Sequence, residues 1–510
     1  MKNTKDSYTV LVYTILKCLL AAFVIIAICS KSSFLYPLNN WGDANIYFNV
    51  GRGILHGKVP YRDMIDQKGP IIFFVYALGE LVSETSFIGI YIIEAVCATI
   101  FAFFALKTVS LFYDTKSYEL SLAFMMAAIV YSCFSNRHGG GPEEMSVCIF
   151  GYLLYLLARY LEQDVFPNTI ETVFLGLGAG MLFWTKYNLC AIFISSFVFV
   201  IIHAIKRNEL QLVWKAFALV LLGVILVTIP IVGYFAANDS ITIFFKTYFY
   251  DNIFLYRSEK GLWVNLLLGL NSLVQKRNAL TLAMLILGLG WMIKNKRYML
   301  LTYFVVSFVF SFVIFNAGYP QKYSNLPLFA FCVFGVLPLF ERLEKKNIQL
   351  KLIHSVCSVV LFSVLAYVSC IHSYDILRPK SETVQYVFAD EIKKSGIEDY
   401  SVLYYGHLDE GFYVAANYLP EYRAYVMTNQ VGDEFKDLQN SYINNREPDF
   451  IITRLRLCDS KDYNEYIEKL PEKKVKEVVA FDDFGYELVD EGSFYFEEYD
   501  IVARLYKKIG

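Results

Sequence analysis

Apolar residues in this chain arrive in long unbroken runs. They neither alternate as in a half-buried strand nor form the one-sided stripe of a surface helix. "LVYTILKCLLAAFVIIAIC" (residues 11–29) and "LVWKAFALVLLGVILVTIPIVGYFA" (212–236) are each long enough to cross about 30 Å of hydrocarbon as helices. Runs of this kind at 9–30, 87–112, 118–134, 144–161, 171–184, 189–205, 212–236, 278–293, 298–315, 325–340 and 352–372 predict an α-helical polytopic membrane protein with about eleven transmembrane helices. The first run is long for a signal-peptide core and lacks a convincing small-x-small cleavage site, so it reads as a retained span.

The pattern changes after residue 373, where long apolar runs stop and charge rises. "YSVLYYG" (400–406) and "PDFIITR" (448–454) read as short strands. "GDEFKDLQNSYINNR" (432–446) and "SKDYNEYIEKL" (460–470) read as amphipathic helices. Residues 1–372 are thus expected to form a transmembrane unit, and 373–510 a small α/β domain long enough to bury its own core. There is no internal repeat of fixed period and no low-complexity tract.

Composition agrees with this pattern. Of 510 residues, 56% are hydrophobic and 18% charged, against roughly 25% charged in soluble domains. A net charge of −2 gives no reason to expect a nucleic-acid partner. Of the cysteines only Cys458 lies in the polar tail, so the tail cannot build an internal disulfide framework, and no Cys/His spacing fits zinc.

Charge does decide orientation. Lys and Arg cluster near the N-terminus (Lys2, Lys5) and in "KRNELQLVWK" (206–215), "KNKR" (294–297) and "ERLEKKNIQLK" (341–351), which the positive-inside rule assigns to the cytoplasm. Residues 31–70, 135–143, 237–277 and 316–324 then face the extracytoplasmic side of the cell membrane. An odd number of spans puts the tail there too.

The long first external loop, 31–70, is the most informative segment. Ile46, Val50 and Ile54 recur every four residues, which predicts a helix lying at the membrane surface and ending near Gly57. "VPYRDMIDQKGP" then leads into a second apolar helix at 71–82, with Gly69 and Pro70 suited to its turn and first position. Asp43 stands where an N-cap would stand, or it is an acid available for catalysis. Lys68 is either a snorkelling anchor or a cation for a phosphate. Arg52 and Arg62 could pair with Asp63 and Asp66 or with anionic lipid headgroups.

Other external junctions supply more candidates. "SNRHGGGPEEM" (135–145) joins Arg137 and His138 to Glu143 and Glu144; Pro142 and two acids also suit an ordinary helix N-terminus. The glycines are no P-loop, because the Lys-Ser/Thr is missing. Lys186 in "FWTKYN" and Lys322 with Tyr323 in "NAGYPQKYSNLPL" mark two further helix junctions. Such lysines are often interface anchors, yet several on one external face are unexpected under the topology rule. A carboxylate and several cations at headgroup depth suit a phosphate-bearing lipid and an incoming hydroxyl.

The order of a first span, an external loop opening on Asp43, "GKVPYRDMIDQKGP" and a short apolar helix resembles the GT-C superfamily of membrane glycosyltransferases. It is most similar to the bacterial branch related to protein O-mannosyltransferases and the lipid A aminoarabinose transferase. The likeness covers roughly 9–340 in topology and is sharpest over 41–82; the family often carries an extracytoplasmic C-terminal domain. It implies Asp43 as the acid that activates the acceptor and Lys68 as the contact to the lipid-linked phosphate. The family's Lys-Pro-Pro-like element reads Lys-Gly-Pro here, which implies a looser start to the following helix. Many members have an adjacent acidic pair in the first loop, whereas Asp43 is followed by Ala44. Glu143 or Glu144 stands in for the second-loop acid.

The resemblance therefore implies a glycosyltransferase moving a hexosyl or pentosyl group from a polyprenyl-phosphate donor to a hydroxyl of an extracytoplasmic glycan, lipid or protein, with inversion. Lys68, Arg137, Lys186 and Lys322 would bind the donor phosphate. No divalent metal is implied, and the loops lack the multi-carboxylate cage that would hold one. Two other classes compete: a transporter or flippase of lipid-linked saccharides, and a non-catalytic envelope assembly protein. A transporter would carry ionisable groups along a route within its spans, where Glu94 is the main example here.

Overall fold

The computed structural model describes residues 2–256, 258, 260–348, 351–427, 433–457, 481–496 and 499–510. The predicted helix at 460–470 and Cys458 lie outside the described residues. The first span is α1 (Lys2–Cys29). Two short helices, α2 (Gly42–Leu55) and α3 (Pro70–Glu80), precede the long apolar α4 (Ile88–Ser110). Then come α5 (Glu119–Tyr131), α6 (Pro142–Gln163), α7 (Thr169–Thr185), α8 (Ala191–Arg207) and α9 (Leu210–Ala237). The predicted external loop 237–277 is largely helical: α10 (Ile241–Phe245), a π-helical segment over Lys246–Leu255, and α11 (Leu262–Leu273). After α12 (Ala279–Lys294) and α13 (Tyr298–Asn316), a 3-10 stretch over Leu326–Val336 runs into α14 (Leu337–Lys345), and α15 (Leu352–Ser369) completes the apolar set.

All eleven apolar runs are helical. Among the described residues eight helical segments are long and apolar enough to cross a membrane. The runs at 118–134, 171–184 and 278–293 form the shorter helices α5, α7 and α12. Local chemistry sets several ends. Pro142 takes the first position of α6. Asn168 and Glu171 cap each other reciprocally at the start of α7, with N···O distances of 3.0 and 2.8 Å. Where α1, α4 and α5 meet, the buried faces are rich in alanine (Ala21, Ala22, Ala98, Ala102, Ala123, Ala127), which lets the backbones approach closely. Leu221, Ile225 and Ile229 of α9 and Val360, Leu361 and Val364 of α15 point outward instead. Such faces are stable against lipid tails and costly against water.

The tail forms a four-stranded sheet flanked by helices. Its elements are α16 (Val384–Lys394), β1 (Val402–Tyr404), α17 (Phe412–Ala416), α18 (Asp433–Asn444), β2 (Phe450–Leu457), β3 (Tyr486–Phe496) and β4 (Tyr499–Lys508). The strand order is β1-β2-β4-β3, with β1 and β2 parallel and the other pairs antiparallel. Alternation along the strands fills both faces. Val402, Tyr404, Phe450, Ile452, Ala503 and Leu505 meet α16 and α17. Leu403, Ile451 and Tyr506 turn the other way, toward Ile443 of α18.

The core beneath α16 is continuous with that of the first loop, since Leu38, Trp41 and Phe48 belong to the same buried cluster as Phe388 and Phe412. This corrects the expectation of a surface helix at 43–57. α2 is buried on all sides from Gly42 to Gly53, covered by α3 and by the tail. Arg52 also differs from expectation: its Nε lies 3.4 Å from Glu84, while Arg62 does pair with Asp63 at 2.8 Å. A buried ion pair, Lys31 to Asp375 at 2.5 Å, fastens the loop to the chain that leaves α15, and Lys31 also donates to Asn40 at 2.9 Å. Removing one partner leaves a charge in a place where water cannot reach it. Asp375→Ala is expected to cost about 3–5 kcal/mol, and Lys31→Met/Asp375→Leu much less; thermal unfolding in detergent micelles compares the two.

Candidate active site

Asp43 sits in the first turn of α2, but it does not cap the helix. Trp41 holds the N-cap position, without a side-chain cap bond. The Asp43 carboxylate is instead spent on side chains. Its Oδ2 accepts the Tyr323 hydroxyl at 2.9 Å and lies 3.3 Å from Lys68 Nζ and 3.5 Å from the Tyr47 hydroxyl. Lys68 likewise does not snorkel: it turns inward to Asp43, its ammonium 5.7 Å from the centre of the Tyr47 ring. Burial pulls the Lys68 pKa down, but the Asp43 and Asp66 carboxylates outweigh it and lift it above the usual lysine range.

The backbone around Lys68 is tightly held. The Tyr61 hydroxyl donates to the Lys68 carbonyl at 2.6 Å, and the Gly69 N–H to the Thr185 carbonyl at 3.1 Å. A Cβ at residue 69 would lie 2.1 Å from the Trp184 carbonyl oxygen, so only glycine fits. The start of α3 is therefore not loose: glycine at 69 lets this stretch of loop seat against the end of α7.

A second acid–lysine pair faces the first. Glu143, in the first turn of α6, lies 2.5 Å from Lys186, which ends α7. Lys186 Nζ is 5.7 Å from the Tyr323 ring centre, and that ring meets Trp41 edge-on at 5.4 Å. Tyr323 thus stands between the two pairs. His138 reaches the same cluster, its ring 6.2 Å from Trp41. The neighbouring acid separates from Glu143: Glu144 turns back to accept the Gly140 N–H at 2.9 Å. Arg137 is buried with its guanidinium 4.7 Å from the Phe134 ring. Lys322 lies beside Tyr323, its carbonyl taking the Ser272 hydroxyl at 2.8 Å. Glu94 accepts the Ser30 hydroxyl at 2.8 Å and the Gly140 N–H, which ties the glycine loop to α4 and to the end of α1. Among the described residues no group of three or more His, Cys, Asp or Glu side chains is placed to hold a metal ion.

Beside the second pair a cavity of about 600 Å³ runs between α3, α4, α6 and α7, walled by Ile72, Pro142, Met145, Ile149, Leu182 and Thr185. Its lining is almost wholly apolar. Two site residues carried weak signals in the sequence. Tyr323 is a tyrosine next to a lysine at a helix junction, and Asp66 reads as ordinary loop pairing. In the structure Asp66 is buried and makes no bond to an arginine.

Chain topology, short loop helices and the sheet-bearing tail together define a fold class: a polytopic helical membrane-type bundle whose path matches solved structures of ArnT along almost the whole chain. No family model matches it, and no curated relative matches it by sequence. The solved structures it resembles include ArnT from Cupriavidus metallidurans. The form bound to undecaprenyl phosphate aligns with TM-score 0.55 and 11% identity over 97% of each chain; the apo form gives 0.55 and 10% over 98% of each.

Asp66 supplies a pH-dependent observable. Burial pushes its pKa from 3.8 up to about 6; Lys68 pulls it down and Asp43 pushes it up. A carboxyl raised in the folded state contributes stability that is complete below the unfolded pKa and is lost as pH rises through the folded one. Asp66→Asn keeps the acceptor oxygen that takes the Gln67 N–H and has no proton to lose. It is expected to gain stability over the wild type between about pH 4 and 6, as read by thermal unfolding across that range.

Proposed function

We propose that the protein transfers a sugar from a polyprenyl-phosphate donor to a hydroxyl of an extracytoplasmic cell-envelope acceptor, with inversion at the anomeric carbon. The observation that carries this reading is the pairing of Asp43 with Lys68 at 3.3 Å, bridged through Tyr323 to Glu143 and Lys186. Two acids and two cations thus lie close together, with the apolar cavity beside the Glu143–Lys186 pair, and a carboxylate with cations is the combination that a hydroxyl nucleophile and a lipid phosphate require. ArnT, whose fold this chain shares, was crystallised with undecaprenyl phosphate.

The proposed step begins with the donor phosphate taking Lys68 from Asp43. The freed carboxylate receives the proton of the acceptor hydroxyl as its oxygen attacks the anomeric carbon from the face opposite the phosphate. A new C–O bond forms, the sugar–phosphate C–O bond breaks, and its electron pair leaves on the phosphate. That group is already a weak base, so it needs charge stabilisation more than a proton; Lys68 and Lys186 supply it, with Arg137 and Lys322 nearby in sequence to the same junctions. The polyprenyl chain would lie in the groove between α3, α4, α6 and α7. Residues 1–372 form the catalytic unit in this reading and 373–510 a cap that faces the acceptor. The clustering of Lys and Arg in 206–215, 294–297 and 341–351 supports a reaction on the extracytoplasmic side, since the positive-inside rule assigns those loops to the cytoplasm.

Asp43→Asn is expected to lower turnover by about a hundredfold or more while the protein remains folded; unchanged turnover removes Asp43 as the base. Lys68→Ala is expected mainly to raise the apparent KM for donor. Both are measured with defined polyprenyl-phosphate sugars in reconstituted vesicles. Full activity with normal donor affinity in Lys68→Ala overturns its phosphate role.

A further inference from the structure

α2 carries Asp43, yet the cap of α2 does little to fix where that first turn sits. Asn45 ties that turn locally, donating to the Asn39 and Trp41 carbonyls at 2.8 and 2.9 Å, and α3 packs along one side of α2. The contacts on its other side come from the tail, 360 or more residues away in sequence. Gly42 backs directly onto Leu408: a Cβ at residue 42 would lie 2.9 Å from the Leu408 Cβ. Leu38, just upstream, fills the space against Gly411. Two turns into the helix, Asn49 Nδ2 donates to Asp409 Oδ2 at 3.4 Å, both side chains being buried. The other Asp409 oxygen accepts the Gly411 and Phe412 N–H groups at 3.1 and 2.8 Å. One carboxylate thus shapes the 409–412 turn and grips α2. Further along, Arg52 donates to Asn417 Oδ1 at 2.8 Å and Lys58 to the Pro420 carbonyl at 2.5 Å.

We infer that the Leu408–Gly411 turn of the tail is a positioning element of the active site, in which Asp409 holds α2 through Asn49 so that Asp43 stays within reach of Lys68 and Tyr323. This rests on the reading of Asp43 as the base. The Asn49–Asp409 contact is long, but both groups are buried, and neither can exchange it for water without opening the interface around it. A shift of about 1 Å in a catalytic group can cost about a hundredfold in rate. The tail then sets turnover without touching the reacting atoms.

The amide–carboxylate contact can be reversed to test this. Asn49→Asp sets a second carboxylate against Asp409. It is expected to lower kcat per folded enzyme at least tenfold with donor KM changed by less than threefold. Adding Asp409→Asn restores an amide–carboxylate pair with the roles exchanged, Oδ1 still serving the turn, and is expected to bring kcat back to within threefold of wild type. Asp409→Asn alone is expected to be mild, because the Asn49 Oδ1 has no partner and an amide flip can meet the new donor. Folded protein is quantified by gel filtration in detergent, so that loss of yield is not counted as loss of turnover. Unchanged kcat in Asn49→Asp, or a loss that Asp409→Asn does not rescue, overturns the positioning role. Full transfer by Asp43→Asn overturns the assignment of the base itself, and this inference with it.

Discussion

A charge removed from water must find its opposite, and in this protein that requirement gathers the loops. Taking a carboxylate or ammonium out of solvent costs several kcal/mol even after relaxation, and only close pairing with further hydrogen bonds offsets it. Asp43 with Lys68, Glu143 with Lys186, and Lys31 with Asp375 each join segments far apart in sequence. Each also lies where apolar helices end, so the surrounding side chains keep the dielectric low and the pairs tight. The first two pairs meet at Tyr323 and the third locks the loop to the chain beyond α15. The apolar core shared by the first loop and the tail brings these segments together, and the pairs fix which charges meet there.

The same economy explains why α2 is so thoroughly enclosed. A short helix between spans would be expected to expose one face, yet α2 has α3 on one side and the tail on the other. Burial on both sides removes the tilt and roll that a surface helix would have. The Asp43 carboxylate at its first turn is therefore held in one place relative to Lys68 and Tyr323. The apolar core shared by α2 and α16 makes the tail part of the structure that holds Asp43 as well as a neighbour of it.

Much of the fold was legible because membrane spans announce themselves by length. Runs such as 11–29 and 212–236 leave few alternatives to a helix in lipid. The strands β1 and β2 were legible too, as short apolar segments between polar ones. β3, with Glu487, Asp490, Glu491 and Ser493 on a sheet edge, carries no such run and went unread, as did the short α17. In the site, Asp43 and Lys68 stood out as charges at a membrane surface, and both proved to be turned inward rather than toward a helix cap or lipid headgroups. Tyr323 and Asp66 did not stand out: a tyrosine at a helix junction and an aspartate in a loop are common, and their importance lies in what surrounds them.

Sequence alone determined the membrane class, the order of spans, the junctions where Lys68, Glu143 and Lys186 occur, and a sheet-bearing tail. These follow from local properties: hydropathy over about twenty residues, helix starts at proline, charge near span ends. Tertiary structure decided which charges pair, that Glu143 and not Glu144 meets Lys186, that Gly69 is required by the Trp184 carbonyl, and that the tail closes over α2. Those are contacts between residues tens to hundreds of positions apart. Their energies depend on distance and burial, and neither is written in any stretch of sequence shorter than the whole chain.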